Sequence, residues 1–423
     1  MSASPRKRIL SGVQPSGKLH LGNYFGAIQQ HIALQDEGEA FYFIADYHAL
    51  TTLREAEAKE FAEFKRKKTV SDVDRGKIVA NLTRLLSEAN PDRKEISTIL
   101  ETHGPSLTEP DKKAILPLVR EKFGSDFAQP YMGSSQQSTP RLAPQLLRDN
   151  VHDVALDYLA LGLDPKKATF YRQSDVPEVT ELAWMLATVT GMGLLERAHS
   201  YKDKVENKIA PTVGLFTYPV LMAADILIVR SHLVPVGKDQ VQHLEMTRDM
   251  AGYFNQSYGE VFPVPQERLG EAAVVPGTDG RKMSKSYGNT IDIFAEGKAL
   301  QTAVMSVVTD STPVDAPKNP DTCNVFALYK LFATAAELND LAELYKNPML
   351  KADTREGKPF GYGHAKKLLL AKIDAHFAPA RERRKQLERD PGTVEEVLAA
   401  GAKRAREVAT VTMRLVRERV GMK

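Results

Sequence analysis

The segment from Arg8 to Ala45 constrains the fold most, because it alternates strand and helix patterns. A short apolar run ends at Gln14-Pro15-Ser16-Gly17, which indicates a strand running into a loop. A helical pattern then continues to about Gln35, and Ala40–Ala45 is a continuous apolar run of the kind found in strands buried on both faces. Strand, loop, helix and buried strand together predict a parallel α/β sheet.

Composition excludes several classes of protein. The 423 residues predict roughly two to four domains. No apolar run approaches the ~18 residues of a membrane span, and the N-terminus lacks the apolar region of a secretory signal, so we expect a cytoplasmic protein with no membrane partner.

Cys323 is the only cysteine, which excludes an intrachain disulfide and a thiolate metal cage, and no protein metal site is predicted. A net charge of +3 gives no sign of DNA binding.

The pattern changes along the chain and predicts three parts. Residues 54–141 alternate charged helical stretches with breakers such as Asn90-Pro91, and they include a polar linker-like run at 133–140, so we predict a helical insertion. Residues 1–53 and 142–296 carry the α/β pattern. Residues 297–423 are mainly helical and predict a separate C-terminal domain.

A first candidate site is His20-Leu21-Gly22-Asn23, which follows the loop at Gln14–Gly17. A helix starting at His20 or just after would present backbone N–H groups to an anion, and His20 and Asn23 would add side-chain donors. An ordinary strand-to-helix turn capped by Asn or Ser explains the same residues. The spacing is neither that of a P-loop nor G-x-G-x-x-G, which disfavours a nicotinamide enzyme.

A second candidate site is Lys282-Met283-Ser284-Lys285-Ser286, hereafter the lysine loop, between Gly280 and Gly288. Two lysines so close together suit the spread charge of a triphosphate and of a leaving pyrophosphate. A solvated basic loop is the alternative.

A third candidate site is the predicted helix Tyr218–Leu227, with Pro219 in its first turn. Tyr218, Met222 and Asp225 are spaced i, i+4, i+7 and share one face. A carboxylate on an apolar face is costly unless a group donates to it. Asp225 therefore either pairs inside the core or accepts a hydrogen bond from a ligand.

These motifs carry a family resemblance. His20–Asn23 resembles the HIGH signature of class I aminoacyl-tRNA synthetases, and the lysine loop matches their KMSKS signature letter for letter. The sequence around Asp225 resembles the tryptophanyl branch, as do four further segments: Ser11–Asn23, Phe43–Thr51, Gln173–Trp184 and Val234–Arg248. The resemblance fails across roughly Arg54–Arg141.

The resemblance implies a Rossmann-like catalytic domain and a C-terminal helical domain that binds the tRNA anticodon. It implies activation of L-tryptophan by ATP, with Mg²⁺ beside the phosphates, and transfer to tRNA(Trp) by a homodimer. Asp225 would accept the indole N–H. The tyrosyl-type synthetases and a non-catalytic tRNA-binding paralogue are the alternatives.

The resemblance also implies residue roles. The catalytic residues would be His20, Asn23, Lys204, Lys282 and Lys285. ATP would contact Gln14, Pro15, Ser16, Gly22, Asn23, Gly237, Lys238, Asp239, Val274, Lys282, Met283, Ser284, Lys285 and Ser286. Family members commonly have Glu at the position of Lys238. Tryptophan would contact Asp225, Tyr218, Met222, His48, Gln240, Val234 and Val236. Five arginines near the C-terminus would either contact tRNA or form a solvated helix face: Arg404, Arg406, Arg414, Arg417 and Arg419.

Overall fold

The chain forms two compact units. The computed structural model describes residues 6–68, 72–103, 107, 109–124, 127, 142–198, 201–202, 212–237, 240–269 and 274–422. The larger unit comprises Met1–Thr51 and Asp149–Lys423, and the insertion unit comprises Thr52–Arg148. A division of the larger unit at residue 297 stays a prediction.

The larger unit is built on a parallel sheet. Within the described residues, its five strands are β1 (Arg8–Val13), β2 (Glu39–Ile44), β3 (Ala168–Arg172), β4 (Leu233–Val236) and β5 (Gln266–Leu269). Their order is β3-β2-β1-β4-β5, and every neighbouring pair is parallel. The Rossmann-like α/β fold is therefore confirmed. The strand order reverses beside β1, and such a reversal opens a ligand crevice at the carboxyl ends of the strands.

The register places the ends of the central strands side by side. Val13 pairs with Ile44, and Ile44 pairs with Arg172, so β1, β2 and β3 end at one edge. Every residue of β2 except Glu39 is buried, as expected for a strand covered on both faces. The loops that follow these strands therefore meet at the same edge.

Seventeen α-helices lie within the described residues. They are α1 (Leu21–Asn23), α2 (Gln29–Leu34), α3 (Asp46–Ala49), α4 (Leu53–Lys68), α5 (Asp72–Ser87), α6 (Arg93–His103), α7 (Glu109–Phe123), α8 (Ala143–Leu161), α9 (Glu178–Ala187), α10 (Met192–Leu195), α11 (Val213–Ile228), α12 (Val241–Tyr258), α13 (Gly297–Met305), α14 (Asn324–Lys330), α15 (Ala335–Lys346), α16 (Tyr362–Glu388) and α17 (Pro391–Arg419). A π-helical turn, Tyr24–Ile28, joins α1 to α2. None of the helices in the described ranges is long and apolar enough to cross a membrane.

Helix α11 starts earlier than its sequence predicts. It begins at Val213, where the Thr212 side chain caps it by accepting a hydrogen bond from the Leu215 N–H at 3.2 Å. Pro219 consequently lies inside the helix, and the prediction that it occupies the first turn was wrong. The missing N–H of Pro219 removes one intrahelical hydrogen bond. Asp225 still lies on this helix and is buried.

Helix α17 packs along the edge strand β3, and its arginines hold it in place. The Arg404 guanidinium donates to the Ala168 carbonyl at 3.2 Å. Arg406 pairs with Glu178, and Arg417 pairs with Glu181, both on α9. These contacts cover an exposed sheet edge. They also show that Arg404, Arg406 and Arg417 of the C-terminal basic cluster have partners within the chain, while a contact of this cluster with tRNA stays a prediction.

The insertion unit has a hydrophobic core of its own. Its buried residues come mainly from α5, α6 and α7 and include Leu82, Leu86, Ile96, Ile115 and Val119. A helical character for this part of the chain matches the sequence pattern. The polar run 133–140 lies outside the described residues.

Candidate active site

The loop after β1, Gln14–Gly17, contacts the lysine loop through the side chain of Lys285. Lys285 Nζ donates to the Ser16 carbonyl at 3.1 Å, to Ser16 Oγ at 3.2 Å and to the Gly17 carbonyl at 2.9 Å. These residues are 268 and 269 positions apart in the sequence. The two motifs thus form one site at the carboxyl end of β1.

The ammonium group of Lys285 titrates unusually low. Part of the side chain is exposed, but Nζ is turned onto the loop, where loss of hydration lowers the pKa of Lys285 to about 8. The carboxylates of Asp157 and Asp292 act in the opposite direction. Hydrogen bonds from this ammonium group to phosphate oxygens would be stronger than its present ones to neutral oxygens.

His20 occupies the position just before α1 and is neutral at pH 7. Its backbone N–H donates to Asn23 Oδ1 at 3.1 Å, which fixes the start of the helix. Burial, followed by the charge of Lys285, lowers the pKa of His20 to about 4. Among the described residues, His20 Nδ1 is buried without a hydrogen-bond partner. A neutral imidazole keeps one N–H donor for a ligand.

The start of α1 offers fewer backbone donors than the sequence predicts. The Leu21 N–H donates to the Ile291 carbonyl at 3.0 Å, and the Asn23 N–H donates to the His20 carbonyl at 2.8 Å. An anion at this place would therefore meet side-chain donors more than free backbone amides. Gly22 lies against this site: a Cβ there would be 3.0 Å from His20 Nδ1 and 3.4 Å from Met283 Cβ.

The lysine loop is partly anchored and partly exposed. Met283 is buried, and Ser284 Oγ accepts from the Ser286 N–H at 3.3 Å. Lys282 is exposed, as is Val274 on the segment that leads to the loop. Anchored backbone with exposed cationic side chains suits a loop that binds phosphates.

A second group of residues surrounds Asp225 on α11. Gln173 Nε2 donates to Asp225 Oδ1 at 2.7 Å and to Oδ2 at 2.9 Å, and His48 Nε2 lies 2.9 Å from Oδ2. Burial raises the pKa of Asp225, and the hydrogen bonds from His48 and Gln173 act against that rise. The prediction of a hydrogen-bonded carboxylate on the helix face fits this arrangement.

Gln173 donates to both oxygens of Asp225 but was not among the site residues predicted from the sequence. Its Oε1 accepts from the Tyr47 N–H at 3.1 Å, which orients the amide so that Nε2 faces Asp225. Beside it, Asp46 Oδ1 accepts from the Ser174 N–H at 3.0 Å. The sequence feature that could have identified Gln173 is its position directly after β3, because polar residues there reach the carboxyl edge of a parallel sheet.

The predicted tryptophan contacts lie on α11, β4 and the segment after β2. The Tyr218 and Met222 side chains are half-buried, and the Tyr218 hydroxyl hydrogen-bonds His243 Nε2. The rings of His48 and Tyr218 meet edge to face with centroids 6.4 Å apart. On β4, Val234 is buried and Val236 half-buried.

Some of the remaining predicted residues lie in the described parts of the chain, and others lie outside them. Gln240 is half-buried, and its N–H donates to the Gly237 carbonyl at 2.9 Å. Lys204, Lys238 and Asp239 lie outside the described residues. Within the parts of the chain that the structure describes, no group of three or more His, Cys, Asp or Glu could hold a metal ion.

Comparisons with known proteins identify the family of the chain. The family described as tRNA synthetases class I (W and Y) matches residues 3–108 and 133–378. A tryptophan–tRNA ligase of Rhodopirellula baltica is 42% identical over 98% of this chain and all of its own length. One from Fusobacterium nucleatum is 43% identical over 98% of both chains. The structure of a Campylobacter jejuni tryptophanyl-tRNA synthetase complexed with ADP and tryptophan aligns at a TM-score of 0.70 and 38% identity, covering 98% of this chain and 99% of that one.

The fold and the joined motifs therefore define a class I aminoacyl-tRNA synthetase of the tryptophan and tyrosine group. Within that group, the chain belongs to the tryptophan–tRNA ligases. Its reaction is activation of L-tryptophan with ATP to give tryptophanyl-adenylate and pyrophosphate, followed by transfer of tryptophan to the 3′ end of tRNA(Trp). The alignments extend over 98% of the chain, so these relatives also carry most of the insertion unit.

Proposed function

We propose that Asp225 selects tryptophan by accepting the indole N–H. The supporting observation is the geometry of its carboxylate, which accepts three hydrogen bonds from Gln173 and His48. A carboxylate has about four lone-pair directions, so one remains for a ligand donor. Phenylalanine has no donor at this place and would leave that acceptor buried and unpaired. Tyr218, Met222, Val234 and Val236 would pack on the ring, and Gln240 would lie near the α-amino group.

In this mechanism the protein supplies alignment and charge, without a protein nucleophile. The tryptophan carboxylate attacks the α-phosphorus of ATP, the bond to the bridging oxygen breaks, and pyrophosphate leaves with that electron pair. Lys282 and Lys285 would stabilise the charge that moves onto pyrophosphate. His20 would donate its single N–H to a phosphate oxygen, and Asn23 and Ser16 would contact the nucleotide. The 3′-terminal hydroxyl of tRNA(Trp) then attacks the adenylate carbonyl and releases AMP.

Mg²⁺ would enter this site with ATP. The described residues contain no cluster that could cage a metal ion, and Mg²⁺ commonly relies on substrate phosphates with few protein ligands. The ion would supply additional charge neutralisation on the phosphates, beside the two lysines.

The experiment that tests the assignment of Asp225 is ATP–pyrophosphate exchange with each of the twenty amino acids. The wild-type enzyme should exchange with tryptophan alone. In Asp225→Asn and Asp225→Ala, the ratio of kcat/KM for tryptophan to that for phenylalanine should fall. If both variants keep the wild-type ratio, Asp225 does not select the substrate. Exchange with tyrosine by the wild-type enzyme would favour the tyrosyl-type alternative instead.

We propose a homodimer that forms through the outer face of α9, α10 and α11. Trp184, Met192 and Val213 lie on these helices, and their side chains are 68%, 64% and 79% exposed. Large apolar side chains exposed on neighbouring helices are typical of an interface. Light scattering should give twice the chain mass, and Trp184→Glu should reduce it. A monomeric mass for the wild-type protein would exclude the proposal.

Three further assignments are proposed, of which the first two rest on the resemblance and the third on the organisation of the chain. We propose that residues 297–423 contact the tRNA anticodon, that the enzyme works in the cytoplasm, and that the insertion is dispensable for adenylate formation. The separate core of the insertion unit supports the last of these. A variant that joins Thr51 directly to Asp149 should fold and retain pyrophosphate exchange. A folded deletion without exchange would disprove dispensability.

A further inference from the structure

We infer that Asn289 is a positioning residue for adenylate formation, because its buried side chain fixes the backbone of the lysine loop. This inference depends on the role proposed above for Lys282 and Lys285 at the pyrophosphate. Asn289 itself lies three residues beyond the loop and touches none of the reacting groups. Its effect would pass through the backbone that carries the two lysines.

The side chain of Asn289 holds the lysine loop on both sides of Met283. It is only 2% exposed. Asn289 Oδ1 accepts from the Ser284 N–H at 2.7 Å, and Nδ2 donates to the Lys282 carbonyl at 3.1 Å. Ser284 directly precedes Lys285. One amide group therefore fixes the backbone at one lysine and immediately before the other.

Asp279 determines which way this amide points. Asn289 Nδ2 donates to Asp279 Oδ1 at 2.6 Å, while Asp279 also accepts from the Arg281 backbone N–H at 3.0 Å. The hydrogen bond from Asn289 is the largest of the effects that lower the pKa of Asp279, so the acceptor stays ionised. A carboxylate on one side and the Ser284 N–H on the other require an amide between them, with NH₂ toward Asp279.

The surrounding backbone leaves room for this side chain at Gly277. A Cβ on Gly277 would lie 2.2 Å from Asn289 Nδ2, which is far inside van der Waals contact. In addition, the Asn289 carbonyl accepts from the Thr278 N–H at 2.9 Å. Asn289 is thus tied by its main chain and its side chain to the segment that leads into the loop.

Loss of these bonds should affect the chemical step more than tryptophan binding. Lys282 and Lys285 would act on charge that develops as pyrophosphate leaves, and small displacements of such groups reduce the rate. A misplacement of about 1 Å can cost roughly 10²-fold. The contacts around Asp225 are made by other elements of the unit, so tryptophan affinity should be retained.

The test is ATP–pyrophosphate exchange by the full chain with Mg²⁺, together with tryptophan binding measured by calorimetry and thermal unfolding. Asn289→Ala should lower kcat by roughly 10- to 100-fold with unchanged tryptophan affinity. The matched control is Asn255→Ala. Asn255 also braces a loop with three hydrogen bonds, to the N–H groups of Val261 and Phe262 and to the Phe262 carbonyl, but outside the site. This control should lower the melting temperature and leave kcat unchanged.

Exchanging the amide of Asn289 and the carboxylate of Asp279 distinguishes an effect on the position of the lysine loop from an effect on protein stability. Asn289→Asp places a second carboxylate beside Asp279 and should lower kcat. Adding Asp279→Asn restores an amide–carboxylate pair with the donor reversed, and the double variant should regain part of kcat. Wild-type kcat in both Asn289→Ala and Asn289→Asp would overturn the inference, as would an equal loss of kcat in Asn255→Ala.

The lysines are measured in the same assay. Lys282→Ala and Lys285→Ala should each lose kcat. If they do and the Asn289 variants do not, only the inference about Asn289 fails. If the lysine variants keep wild-type kcat, the proposed role of the lysines fails, and the inference about Asn289 fails with it.

Discussion

The amide nitrogen of Gln173 lies 2.7 Å from Oδ1 and 2.9 Å from Oδ2 of Asp225, so a single side chain holds both oxygens of the buried carboxylate. Hydrogen bonds to charged groups contribute about 1.5–3 kcal/mol, which corresponds to roughly 10- to 100-fold in an equilibrium constant. We expect Gln173→Ala to raise the KM for tryptophan by about that factor, because the carboxylate would lose its position and become harder to ionise. Steady-state pyrophosphate exchange measures this.

The control for this prediction is Gln35→Ala. Gln35 is also buried, and its amide also has two partners, the Gly162 carbonyl at 3.3 Å and the Asp164 N–H at 2.9 Å. It should lower the melting temperature and leave the KM for tryptophan unchanged. Equal KM values in Gln173→Ala and the wild-type enzyme would show that Gln173 does not support substrate binding.

Tryptophan binding should weaken at low pH because of Asp225. Burial raises the pKa of this carboxyl, so it takes up a proton at a higher pH than an ordinary Asp. As pH falls through the raised pKa, the acceptor for the indole N–H is lost and the KM for tryptophan rises. The contribution of Asp225 to folding has the opposite dependence: it is complete at low pH and is lost as pH rises through the same pKa. Asp225→Asn should remove this part of the pH profile of KM, which kinetics at constant ionic strength would reveal.

The ATP side of the site should lose activity at high pH because of Lys285. Its pKa is about 8, so the ammonium form is present below that value and is lost as pH rises through it. We expect kcat/KM for ATP, which reports groups of the free enzyme, to fall above about pH 8. Lys285→Arg keeps its charge to pH 12 and should move this decline to higher pH. Lys282→Arg should keep the decline at the wild-type pH, and a decline that also stays in Lys285→Arg would assign it to another group.

Local patterns in the sequence were enough to predict the centre of the sheet and the two signature motifs. β1 and β2 are marked by apolar runs, and the loops at Ser16 and Lys285 by Gly, Ser and Lys in characteristic order. Their contact follows because a sheet of this class gathers its loops at one edge. In contrast, β5 reads Gln-Glu-Arg-Leu, and all four of its residues are exposed, so no apolar pattern marked it.

The sequence did not identify residues whose contacts join segments far apart in the chain or depend on the folded loop. Gln173 meets Asp225 across 52 positions, and nothing in the spacing indicates that contact. Asn289 looks like an ordinary loop residue until its neighbours Ser284 and Asp279 are known. For Arg406 the sequence left open either a tRNA contact or a solvated helix face, and its pairing with Glu178, 228 positions away, could not be seen from its local pattern.

Adenylate formation should require a glycine at position 22 but not at position 26, four residues later. A Cβ on Gly22 would lie 3.0 Å from the His20 ring, closer than an ordinary van der Waals contact, and 3.4 Å from Met283. Gly22→Ala should therefore displace the His20 ring or the lysine loop and lower kcat for pyrophosphate exchange by at least about tenfold. Gly26→Ala meets nothing within 4 Å and lies in the helical segment Tyr24–Ile28, so it should keep kcat and gain up to about 1 kcal/mol of stability from helix propensity. Both variants are compared by exchange kinetics and thermal melts. Equal kcat values in the two would mean that the close packing between His20 and the lysine loop has no part in adenylate formation.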